Sequence, residues 1–156
     1  MTDTVTVVAH DEQDVHPVDL ARYRDLALHS LAAGPISGPA ELNLLFVDED
    51  EMAELNRVHM HEVGATDVLS FPIDDHETND PGPRLLGDVV ICPPVAARYA
   101  AEHGRTYDDE LALLVVHGVL HVLGMDHAET DEAQAMQARE RELLHSWSPP
   151  DAGAGA

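Results

Sequence analysis

Residues 117–127 read HGVLHVLGMDH, placing three histidines within eleven residues of an otherwise apolar run. On a helix, His117 and His121, four apart, stack one turn above each other on the same face, so both imidazoles can reach one ion. Gly124 accepts the left-handed backbone that closes a helix and reverses the chain, which would bring His127 back towards the first two. Three neutral imidazoles with an open fourth position describe a catalytic zinc site, because structural zinc sites are closed by four protein ligands. Such an ion lowers the pKa of bound water to about 7, making the metal-bound water the expected nucleophile. Nickel or cobalt would suit the same ligands. Asp126, beside His127, has two open roles: orienting a ligand histidine through a hydrogen bond, or capping the turn.

The pattern H-x3-H-x2-G-x2-H is shared with the long zinc signature of metzincin proteases, in which a glutamate follows the first histidine as general base. Here that position is Gly118. A peptidase of the usual mechanism would lack its proton acceptor. Phosphodiester hydrolysis suffers less, since a metal can polarise a phosphoryl oxygen and deliver an already ionised water in line to phosphorus.

The elements that must hold these side chains alternate between short apolar strands and amphipathic helices. Strands are expected at Val5–Ala9, Leu42–Val47, residues 66–73 (TDVLSFPI) and residues 87–92 (GDVVIC). Pro72 cannot donate to a ladder, so its strand belongs at a sheet edge or ends there. Helices are expected from Pro17 to Gly34, from the Asp48/Glu51 cap to about Val58, from Pro93 and Pro94 to Gly104, and from about Asp131 to His145. Thr106 with Asp109 opens the helix of the histidines, apolar on every side and therefore buried. From Leu111 to Met125 it spans fifteen residues, short of the roughly twenty a bilayer requires. Asp74–Arg84 has a mobile loop's composition, and residues 148–156 (SPPDAGAGA) that of a disordered tail, leaving 1–147 as one domain.

Thirty carboxylates face eight arginines and no lysine, for a net charge of −22. Bulk electrostatics therefore oppose nucleic-acid binding, which normally uses cations to neutralise phosphates. Local potential can still differ from the sum: a dicationic metal, with Arg57, Arg84, Arg98 and Arg105 along one side of a cleft, is one remedy, and delivery of the substrate by a larger assembly is another. The lone Cys92 cannot form an internal disulfide and fits a small core residue, and the N-terminus lacks a signal-peptide pattern, so a cytoplasmic setting is expected.

Three blocks together resemble one family. HGVLHVLGMDH is similar to the signature H-G-x-L-H-L-x-G-y-D-H of the YbeY endoribonucleases, the bacterial rRNA maturation factors, with Val122 a mild departure. TDVLSFP and LGDVVIC resemble that family's other blocks in order and spacing, and the resemblance covers residues 5–147. It implies an α/β (α+β, zincin-like) fold, a small mixed β-sheet packed with helices around a central buried helix that carries His117, His121 and His127 as Zn2+ ligands. It also implies a zinc-dependent, single-strand-specific endoribonuclease of 16S rRNA 3′-end maturation and ribosome quality control. Its partners would be precursor rRNA, the small ribosomal subunit and assembly proteins, with neither membrane nor DNA.

One departure falls on substrate contact, since the arginine that many members carry six residues before the block's threonine is Met60 here. Arg57, one helical turn earlier, is the candidate replacement, against the plainer expectation that it pairs with a carboxylate such as Glu54. Ser70 on the edge strand is a second candidate substrate contact. His59 and His61 could bind metal or phosphate, although loop histidines are usually solvated; Asp67 fits a turn before its strand. Two other functions remain open: a metzincin-like metallopeptidase, and a non-catalytic ribosome-assembly factor in which the metal only locks the fold.

Overall fold

Runs of β-branched residues and leucine build a sheet in which three strands are parallel. In the computed structural model, which describes residues 5–34, 36, 39–73, 83–125 and 129–150, these are β1 (Val5–Asp11), β2 (Ala40–Phe46) and, after the shorter β3 (Val68–Pro72), β4 (Arg84–Ile91). The order is β1-β2-β4-β3, with β3 antiparallel to β4. Pro72 thus lies on an edge strand, where its missing N–H costs no central ladder bond. Opposite the Glu41–Leu42 step, β4 inserts an extra residue before Gly87. Gly87 adopts φ +147°, and a Cβ there would come within 2.5 Å of the Phe71 carbonyl oxygen, so this kink requires glycine.

Five α-helices surround the sheet among the described residues: α1 (Leu20–Ala32), α2 (Glu49–Leu55), α3 (Pro93–His103), α4 (Tyr107–Val122) and α5 (Thr130–Ser146). Helix α1 starts later than Pro17, because Asp19 caps it by accepting the Arg22 N–H. The Pro17 carbonyl instead takes the Tyr107 hydroxyl. Asp48 opens α2 by accepting from Glu51, and the chain then widens into a π-helical turn over Asn56–Met60. It stops at His61, which adopts a left-handed φ of 57°. The expected strand at 87–92 begins earlier, at Arg84, and yields Cys92 to the start of α3.

Helix α4 is the centre of the molecule, packed against α1, α3, α5, β3 and β4. Leu111, Val115, Val116 and Val119 are fully buried, as an all-round apolar helix should be. Beneath the other face of the sheet, Val47, Met52, Leu69, Val90, Cys92 and Val95 form a smaller cluster. Burial pushes the Cys92 thiol up to about 11, consistent with a core residue. Most of the expected loop, residues 74–82, and the last six residues of the expected tail, 151–156, lie outside the described residues. Among the described residues no helix is long and apolar enough to cross a membrane.

Candidate functional site

Two local devices set the ends of α4. At its start, the Thr106 side chain accepts the Asp109 N–H at 3.0 Å, and Asp108, Asp109 and Glu110 place negative charge at the positive end of the helix dipole. At its end, Gly124 takes φ +102°, the Gly124 N–H bonds the His121 carbonyl and the Met125 N–H bonds the Leu120 carbonyl, both at 3.0 Å. This pair of crossed bonds is the Schellman closure that a glycine after the last helical turn makes possible.

Between these ends, the His117 and His121 rings meet edge to face, with centroids 4.8 Å apart. Both line a cavity of about 430 Å³ whose other walls are Met60, Asp67, Val68, Leu69 and Ser70. The pairing follows from the i,i+4 register of a rigid helix. His127 and Asp126 lie outside the described residues. Among the described residues no trio of His, Cys, Asp or Glu closes a metal site, so His117 and His121 are the part of the expected ligand set that the structure brings together.

The far side of His117 meets α5. His117 Nδ1 lies 2.5 Å from Glu140 Oε2, and Glu140 is only 7% exposed. The sequence places Glu140 on one side of α5 with Met136 and Leu143 but assigns it no role. The available signal is a carboxylate in a stripe that is otherwise buried and apolar, where an ionised group must find a partner.

The candidate substrate contacts divide. Ser70 lines the cavity, and its hydroxyl donates to the Gly118 carbonyl at 3.2 Å, tying the edge strand to α4. Arg57 is not among the cavity-lining residues; it is exposed and paired with Glu54, Nη2 to Oε1 at 2.5 Å. Met60, where the resemblance leads one to expect an arginine, does line the cavity. His59 packs its ring against Phe71, with centroids 4.9 Å apart.

Of the other cleft candidates, Arg98 grips Glu49 with both terminal nitrogens on the surface, and Arg84 opens β4. Arg105 is placed closest to the expected role. It pairs with the buried Glu110 at 2.9 Å and borders a neighbouring cavity of about 320 Å³ that also touches Asp67, His103, His117 and Glu140. Burial raises the Asp67 carboxyl above its usual range, although Oδ1 accepts the Val68 N–H at 2.8 Å.

Comparison with known proteins identifies the family of this chain. The family model described as Endoribonuclease YbeY matches residues 8–148. The endoribonuclease YbeY of Thermobifida fusca (strain YX) is 49% identical over 135 residues, covering 84% of this chain and 87% of that protein. That of Acidothermus cellulolyticus is 46% identical over 151 residues, covering 92% of each. The solution structure of TM1509 from Thermotoga maritima superposes with a TM-score of 0.58 at 22% identity, covering 92% of this chain and 91% of that one, a likeness of fold. With a family model spanning nearly the whole chain and relatives approaching half identity over most of it, the protein belongs to the endoribonuclease YbeY family.

Proposed function

We propose that this protein is a metal-dependent, single-strand-specific endoribonuclease that trims precursor 16S rRNA at its 3′ end and serves ribosome quality control. The observation that carries the proposal is the His117–His121 pair, edge to face on a rigid helix at the wall of an open cavity, in a chain of an endoribonuclease family. The donor set fits zinc: two imidazoles on one helical face, one of them hydrogen-bonded on its other nitrogen to a buried carboxylate. His127, by its place in the motif, is the third ligand in this reading. When bound, the ion supplies Lewis-acid polarisation of the scissile phosphate and an ionised water as nucleophile.

The chain's own residues bind and orient. A cavity of about 430 Å³ suits a splayed nucleotide rather than an intact duplex. Met60 and Leu69 give it an apolar wall for a base or sugar face, while Ser70 fixes β3 against α4 so that this wall keeps its distance from the histidines. Arg105 brings positive charge to the neighbouring cavity that His117 also lines.

The net charge of −22 leaves no long-range attraction for RNA. The small ribosomal subunit and its assembly proteins therefore deliver the substrate in this proposal, which sets the activity in the cytoplasm. The test is cleavage of matched single-stranded and duplex RNAs by zinc-loaded and chelator-treated protein. Cutting confined to the single strand, lost with chelation and regained with zinc, is expected; metal-independent cutting would overturn the mechanism.

A further inference from the structure

Glu140 occupies a position that tolerates a carboxylate poorly. It lies on α5 between Met136 and Leu143, which are 1% and 2% exposed, and is itself 7% exposed. A buried ionised group needs a matching partner, and Arg105 borders the same neighbouring cavity as Glu140. Arg105, however, is held by Glu110 at 2.9 Å. Glu140 instead meets the Nδ1 of His117, 23 residues away on a different helix, at 2.5 Å.

We propose that Glu140 is the positioning residue of the site. A carboxylate can only accept hydrogen bonds, so it requires the proton of the neutral His117 ring to sit on Nδ1. That leaves Nε2 unprotonated, as the nitrogen whose lone pair can ligate a metal, and fixes the ring plane. The orienting role open to Asp126 in the sequence thus falls, for His117, to a residue on a separate helix. The same contact ties α5 to α4 at His117. The inference rests on the metal reading above for its consequence, but the contact is testable without metal.

The experiment uses the full chain, with Glu140→Gln as the shape-preserving variant and Glu140→Ala as the deletion. Nitrogen-15 NMR of the metal-free proteins, at a pH where the imidazoles are neutral, reports the His117 tautomer; competition with a chromogenic chelator reports zinc affinity; melting reports the fold. Wild type is expected to hold a single Nδ1–H tautomer. Glu140→Gln, whose amide can both donate and accept, is expected to populate both tautomers and bind zinc roughly 10- to 100-fold more weakly, as for other partners of ligating histidines. Its melting temperature should stay near wild type.

A carboxylate that serves only the fold would move the melting temperature and leave the tautomer and zinc affinity unchanged, which would overturn the proposal. Should Glu140→Ala fail to fold, Glu140→Gln decides alone by the same two readouts. Failure of wild type to bind zinc would sink the metal reading, whereas the tautomer comparison would still decide whether Glu140 positions His117.

Discussion

Gly118 and Val89 pack so closely that a Cβ on Gly118 would lie 2.5 Å from Val89 Cγ1. Val89 is fully buried and β-branched, so it cannot turn aside. The absence of a side chain at 118 therefore lets α4 settle onto β4, and it sets the distance between the histidine pair and the edge strand that carries Ser70. The same contact accounts for the missing metzincin glutamate: the space beside His117 is filled by the sheet.

Gly118→Ala should consequently destabilise the protein. Overpacking a tight contact costs about 1–3 kcal/mol, against about 1 kcal/mol gained from alanine's helix propensity. Gly118→Glu should lose more stability and gain no peptidase activity. Urea unfolding and a casein digest measure both; an alanine variant more stable than wild type by about the 1 kcal/mol propensity gain would contradict the packing account.

The Arg105–Glu110 pair joins a half-exposed guanidinium to a carboxylate whose side chain is only 4% exposed. Arg105→Ala leaves that carboxylate buried without its cation, and with solvent reaching one side the loss should be about 1–3 kcal/mol. Adding Glu110→Gln to Arg105→Ala should recover part of it, because a neutral amide is cheaper to bury. Urea midpoints of the two variants check this, and additive losses would refute the coupling.

Burial raises the Asp67 carboxyl above its ordinary value, so the folded state holds this proton more tightly than the unfolded chain. The associated stability is fully present below the ordinary carboxylate range and is lost as pH rises through the raised folded value. Asp67→Asn keeps an oxygen for the Val68 N–H and removes the titration. Relative to wild type, the variant should therefore gain stability as pH increases from acid to neutral. Thermal melts across that range measure the difference, and parallel curves would show that Asp67 titrates alike in both states.

Much of this arrangement was legible in local signals. Thr106, Asp48 and Gly124 mark helix ends through chemistry confined to a few residues, and each acts in the structure as its type requires. Pro72 likewise announces an edge strand through its missing N–H. The start of α1 falls later than the sequence suggests because Pro17 and Asp19 both suit a helix entrance, and the Asp19 cap on the Arg22 N–H, with the Tyr107 hydroxyl on the Pro17 carbonyl, shows which one lies outside. Contacts distant in sequence were the least accessible. Glu140 stands 23 residues from His117, and nothing in the spacing of α5 indicates which side chain its carboxylate meets. The close approach of Gly118 to Val89 is equally long-range; the sequence shows a glycine in a helix, a weak feature until the opposing strand is known.

The most direct test of the central claim is cleavage of a labelled RNA bearing the 3′ end of precursor 16S rRNA, free and within assembled small subunits. Zinc-loaded wild type would be compared with a folded His121→Ala variant. We expect wild type to cut, more efficiently in the assembled subunit than on free RNA, and His121→Ala to lose at least two orders of magnitude in rate, as removal of a catalytic metal's ligand implies. Equal cutting by the two proteins, or none by wild type in either context, would contradict the account and leave a metal-stabilised assembly factor in its place.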